Sequence, residues 1–168
     1  MAEAATALEN MDPADNQPLV DLHSHIPALS VTLGGKIGLH ALRHNARALG
    51  LDLREWRIIQ ILGSEGRSTV FEVADFIAMD RGGTSRSISR LEGRGIVQRK
   101  NDPSDRRRSY LELTPVGWDL HEKIVHFALA REERLLKNVS HEDAARLRKL
   151  LNILIAEADQ MVAEGWTP

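Results

Sequence analysis

Residues 80–114 read DRGGTSRSISRLEGRGIVQRKNDPSDRRRSYLELT and leave the fold little freedom. Asp80 stands where a helix N-cap belongs, and Thr84, Ile88 and Leu91 follow at helical spacing, facing inward. Gly95 stops that helix. Two β-type runs come next, 96–100 and 109–114, with Leu111 and Leu113 alternating with polar neighbours. The Asn101-Asp102-Pro103-Ser104-Asp105 segment between them is made of turn formers. Charge is segregated as well. Nine basic residues lie between 81 and 108 against Glu92, Asp102 and Asp105, while the whole chain is at −2, so the remainder carries −8. Such segregation implies one face meant for a polyanion.

The neighbouring segments complete the pattern. Asp52 with Glu55, and Thr69 with Glu72, are capping boxes that open two more helices. Trp56, Ile59 and Leu62 line the first of these, with Gly63 and Gly66 closing it; Val70, Val73, Ala74 and Ile77 line the second. A short extended segment is possible near Ser68. Upstream, Leu22, Ile26, Leu29, Leu33, Ile37, Leu42 and Leu49 predict an amphipathic helix over about 28–49, ended by Gly50 and carrying Gly34, Gly35 and Gly38. Downstream, Thr114-Pro115 opens a long helix with Val116, Leu120, Ile124, Phe127 and Leu135 inward. Ser140 and Asp143 cap a last helix with a stripe from Leu147 to Met161. The expected fold is mainly α with a small β-hairpin wing. It divides into an acidic disordered tail (1–18), an N-terminal dimerisation helix region (19–50), a winged helix-turn-helix DNA-binding lobe (51–114) and C-terminal dimerisation helices (115–168).

On that reading double-stranded DNA is the partner. The second helix of the motif lies in the major groove, its N-terminal half nearest the bases. The contact set on the helix is Arg81, Thr84, Ser85, Arg86, Ser87 and Arg90, with Thr84 also on the inward face. Arginine suits guanine and serine suits base edges or phosphate. Gly82 and Gly83 in the first turn bring the backbone near phosphate or simply loosen the turn. At the hairpin tip, Arg106 and Arg107 reach toward the minor groove or phosphate, and Asp105 orients a neighbouring arginine.

Several classes are excluded. The chain has no cysteine, so there is no disulfide, thiol catalysis or thiolate metal site. It has no nucleophile elbow, phosphate loop or clustered carboxylate pair, and is not expected to be an enzyme or to carry a cofactor. No apolar run approaches the ~18 residues of a membrane span. The N-terminus has no basic residue ahead of an apolar core and is not read as a secretory signal.

The stretch from Trp56 to Gly117 resembles the MarR family of bacterial transcriptional regulators. The likeness rests on LEGRGIVQR, DPSDRRR and LTPVG, and on the hairpin pattern formed by Asp105, Arg107, Leu113 and Thr114. DRGGTSR departs from the commoner Ser/Thr-rich start of the recognition helix. The resemblance implies a cytoplasmic, nucleoid-associated homodimer in which the first and last helices of both subunits interlock. It also implies a small effector, often aromatic, bound between the dimer region and the DNA-binding lobe. His23, His25, Ser30, His40, Arg43, His44, Arg54 and Trp56 are the candidate effector residues. An aromatic carboxylate, a phenol or its CoA thioester would suit a pocket of apolar walls, one arginine and one or two histidines. His40 and His44, one turn apart, could instead hold zinc with His23, His25 or Asp21. A third reading is an architectural DNA binder with no effector.

Overall fold

The computed structural model describes residues 19–101 and 109–167. The acidic tail, the hairpin turn and the candidates Asp105, Arg106 and Arg107 lie outside the described residues. Helix α1 spans Ile26–Ala41, with Pro27 in its first turn, where a missing N–H costs nothing. It does not run on regularly to residue 49. A π-helical turn, Leu42–Ala46, and a tight turn, Arg47–Leu49, follow it, and Gly50 takes the left-handed conformation at φ 65°. Gly38 is buried, and a Cβ there would stand 3.4 Å from Leu53 Cδ2, so α1 approaches the next helix closely.

Helix α2 (Leu53–Glu65) begins with the expected box. Asp52 N–H donates to Glu55 Oε2 at 3.0 Å, and Glu55 N–H donates to Asp52 Oδ1 at 2.8 Å. Trp56, Ile59 and Leu62 are all buried, joined by Ile58. Gly63 does not end the helix. It lies inside α2, where a Cβ would overlap the ring of His121. Helix α3 (Val70–Phe76) has the second box, from Thr69 and Glu72. Helix α4 (Arg81–Gly93) is capped by Asp80, and Gly95 turns the chain out of it at φ 66°.

Strands β1 (Val97–Asn101) and β2 (Ser109–Leu113) pair antiparallel in the register Val97↔Leu113 and Arg99↔Leu111. Ser68 adds an isolated bridge to Leu111, which is the extended segment expected there. Helix α5 (Pro115–Leu135) starts at Thr114, whose Oγ1 accepts from Gly117 N–H at 3.1 Å and donates to Gly95 O at 2.6 Å. Helix α6 (His141–Glu164) starts at Ser140. The core gathers Trp56, Ile58, Ile59, Ile88, Leu91, Leu111 and Ile124 between α2, α4, the hairpin and α5.

Two inward expectations on α5 are corrected: Val116 is 53% and Leu135 49% exposed, and at the start of the helix it is Gly117, not Val116, that faces the lobe. The α6 stripe is also uncovered, with Leu150 and Leu154 49% and 43% exposed. Gly117, by contrast, is buried, and a Cβ there would overlap the carbonyl oxygen of Ile96. That oxygen already accepts Thr114 N–H at 3.1 Å and cannot withdraw freely. Gly117→Ala is expected to lower stability by about 2–3 kcal/mol, the cost of overpacking a rigid contact, seen as a lower urea midpoint.

Burial against Gly63 holds the His121 imidazole below the ordinary histidine value of 6.5. As pH falls through 6.5 the unfolded chain takes up a proton before the folded one, so stability is lost until the depressed folded value is passed. His121→Gln is expected to flatten the dependence of the thermal midpoint on pH across this window.

Candidate nucleic-acid interface

Helix α4 presents one face outward. Arg81, Ser85, Arg86, Ser89 and Arg90 are exposed. Thr84 and Ser87 leave the DNA set. Their exposures are 0% and 2%, and a side chain without accessible surface cannot reach a base edge. They lie on the core side of the helix with Ile88 and Leu91. Thr84 Oγ1 instead donates to Asp80 O at 2.9 Å. Ser87 Oγ accepts from Arg90 Nη2 at 3.0 Å.

The arginines are not equivalent. Arg90 Nε donates to Glu55 Oε1 at 3.0 Å, and its Nη2 donates to Asp52 Oδ2 at 2.6 Å. The Glu55 bond above all raises the Arg90 guanidinium further above its ordinary value. Arg94 reaches the other oxygen of Glu55 at 3.5 Å. Glu55 is 5% exposed, so this buried carboxylate ties α4 to the first turn of α2. Arg81 lies over the ring of Phe71, 3.9 Å from its centroid. Arg86 forms no ion pair among the described residues, although its charge is near enough to Asp80 to help lower that carboxyl, and its exposed guanidinium can reach a base or phosphate.

The base of the hairpin is neutralised internally. Arg99 pairs with Glu92 at 3.2 Å and Lys100 with Glu112 at 2.7 Å. Arg67 joins Glu112 at 3.1 Å and stacks over Tyr110. Much of the basic stretch is therefore bound up in the lobe itself.

At the start of α4, the Asp80 carboxyl sits below the usual carboxylate range, chiefly because it accepts the Gly83 N–H and secondly because Arg54 is near. Arg54 thus lies at the start of α4, away from the histidine candidates. The other candidates are scattered too. His23, His25 and Ser30 are exposed near the start of α1, and Ser30 Oγ donates to Ile26 O at 2.9 Å. The His40 and His44 rings lie 4.8 Å apart between centroids and are tilted by 41°, neighbours on one face as their spacing requires. Arg43 and His44 are exposed. No three His, Asp or Glu side chains converge as a metal site among the described residues, so the histidine pair gains no third ligand.

A groove of about 450 Å³ opens between α1 and α5, lined by Leu33, Ile37, His40, Asn45, Phe127 and Arg131 among others. Trp56 does not line it. It is buried, with Phe127 stacked on it at 6.3 Å. Arg131 lies with its Cζ 5.9 Å from the Trp56 ring centroid. Its Nη1 is buried and has no hydrogen-bond partner among the described residues, and burial holds the guanidinium below its ordinary value. Sequence reasoning missed Arg131, because the Arg-Glu-Glu-Arg run at 131–134 looks like a solvated face.

A model of the MarR family matches residues 49–108. The HTH-type transcriptional regulator FarR of Neisseria gonorrhoeae is 30% identical over 109 residues, covering 59% of this chain and 75% of FarR. The chain belongs to the MarR family. A MarR/EmrR family regulator from Acinetobacter sp. ADP1 has the same fold, with a TM-score of 0.76 at 28% identity over 84% of this chain and all of that one. The PcaV regulator from Streptomyces coelicolor, solved with its natural ligand, superposes with a TM-score of 0.67 at 22% identity, over 84% of this chain and 99% of PcaV. As a MarR-family chain this is a DNA-binding transcription regulator and not an enzyme. Helix α4 is its recognition helix, and β1–β2 its wing. No helix among the described residues is long and apolar enough to cross a membrane.

Proposed function

We propose that the protein is a homodimeric repressor released from a pseudo-palindromic operator by an aromatic carboxylate bound in the α1–α5 groove. One observation carries this reading: a buried Arg131 nitrogen without a partner among the described residues, in a groove where Leu33, Ile37 and Phe127 are joined by the cations Lys36 and Arg134. A buried donor left unsatisfied costs about 1–3 kcal/mol, and an anion entering the groove relieves it. The apolar walls and the Phe127–Trp56 stack suit a flat ring. Arg131 takes the carboxylate and His40 lies at the rim. A neutral phenol would leave the guanidinium charge uncompensated. PcaV, which shares the fold, was solved with a ligand, in keeping with such a site.

The groove has a short route to the recognition helix. Asn45 lines it and belongs to the π-helical turn, an irregularity that can rearrange at low cost. Leu51 N–H bonds back to Ala46 O at 2.8 Å in that turn. The next residue is Asp52, which with Glu55 holds Arg90 and Arg94. Ligand binding would shift this turn, tilt α4 and spoil the spacing of two recognition helices. It can do so only through unequal affinity for the two states.

The experiment is fluorescence anisotropy on the DNA upstream of the protein's own coding sequence. Benzoate and salicylate should weaken binding, and zinc should not. Binding indifferent to every aromatic acid would sink the reading.

A further inference from the structure

Two glycines in the first turn of a recognition helix are expensive, each by about 1 kcal/mol relative to Ala. They differ in surroundings. A Cβ on Gly82 would meet only Arg86 Nη1 at 3.6 Å and Asp80 Oδ1 at 3.7 Å. Gly83 is buried, and a Cβ there would overlap Nη1 of Arg54 and stand 2.7 Å from its Cζ. Gly83 is therefore a seat for a guanidinium that comes from α2. From that seat Arg54 Nη2 donates to Asp80 Oδ2 at 3.0 Å, while Asp80 Oδ1 accepts the Gly83 N–H at 2.5 Å. One carboxylate thus caps α4 and holds the arginine. At the far end of α4, Arg90 and Arg94 hold Asp52 and Glu55, again on the first turn of α2.

We infer that Arg54, seated on Gly83 and paired with Asp80, is a positioning residue that sets the angle of the recognition helix's first turn against α2. Arg54 and Asp80 side chains are 27% and 65% exposed, and such a pair adds little to stability. Its consequence is geometric. The helix carries its DNA-facing residues, Ser85 and Arg86, directly after this turn. A small change of tilt there moves Arg86 away from the groove floor. Gly83 has no side chain because Arg54 occupies the space.

The test uses full-length protein and a duplex enriched by the wild type from a random-sequence pool. Anisotropy over a salt series gives affinity and its salt slope. Gly83→Ala adds no charge and favours helix, but its Cβ would also stand 2.8 Å from Asp80 Oδ2, so an unchanged thermal midpoint is the control that the cap survives. Gly83→Ala and Arg54→Ala are each expected to weaken binding about tenfold, the order of coupling between groups acting as a unit. The double variant should bind no more weakly than Arg54→Ala alone. The salt slope should match wild type, and thermal midpoints should not fall. Three results would overturn the inference: Gly83→Ala binding like wild type, the two losses multiplying in the double variant, or Arg54→Ala lowering the salt slope by about one unit, the mark of a direct phosphate contact.

Discussion

With Leu150 and Leu154 both changed to Asp, the protein is expected to sediment as a monomer that stays folded and loses its grip on DNA. Both leucines are exposed on α6, a helix whose described ties to the rest of the chain include one exposed ion pair, Arg148–Glu132 at 2.8 Å. Leu147, Leu151 and Met161 extend the same uncovered stripe, and Leu29 and Leu33 do so on α1. Contiguous apolar surface of this kind marks an interface. Aspartates there face water in the monomer and cost it little, but two carboxylates in a closed interface are not tolerated. A dimer holds two recognition helices about one helical turn of DNA apart. Losing the second half-site should weaken operator binding by about 10³-fold, the scale of avidity between linked sites. Sedimentation velocity and anisotropy on one sample check both parts. An intact dimer, or monomers that bind as tightly as wild type, would contradict the proposal.

Arg131→Met should separate ligand response from DNA binding. Methionine keeps the apolar stem against Trp56 and removes the guanidinium. A charge-assisted bond is worth about 1.5–3 kcal/mol, so benzoate or salicylate affinity should fall by roughly 10- to 100-fold. DNA affinity without ligand should not change, since Arg131 is on α5 and away from α4. The ligand-free variant should also melt higher, because its buried nitrogen without a partner is gone. Calorimetry and a thermal scan read these effects. A variant that still binds aromatic acids at wild-type affinity would move the ligand out of this groove.

The parts of the fold that were legible in the sequence are those set by local chemistry. Capping boxes at Asp52–Glu55 and Thr69–Glu72, the cap at Asp80 and the stop at Gly95 depend on a few adjacent residues, and all appear where expected. The inward face of α4 followed from spacing alone, although the same spacing should have kept Thr84 and Ser87 out of the DNA set. Contacts between distant segments were not legible. Arg54 sits 26 positions from Asp80, and nothing in either neighbourhood announces their meeting. Gly63 resembled a helix stop because the His121 ring that requires it comes from α5. Arg131 resembled a surface charge because only the packing of α5 on Trp56 buries its Nη1. The π-helical turn after α1 left no mark in the apolar spacing, which carries on through Leu42 and Leu49.

The most direct measurement is the affinity of the wild-type protein for its upstream DNA at zero and at saturating aromatic carboxylate, paired with ligand affinity in the presence and absence of that DNA. Coupling through α2 and α4 predicts a fall in DNA affinity of about 5- to 150-fold that reaches a plateau, with the same factor in the reciprocal titration. Equal ligand affinity for free and DNA-bound protein, with an unmoved DNA affinity at saturation, would contradict the account.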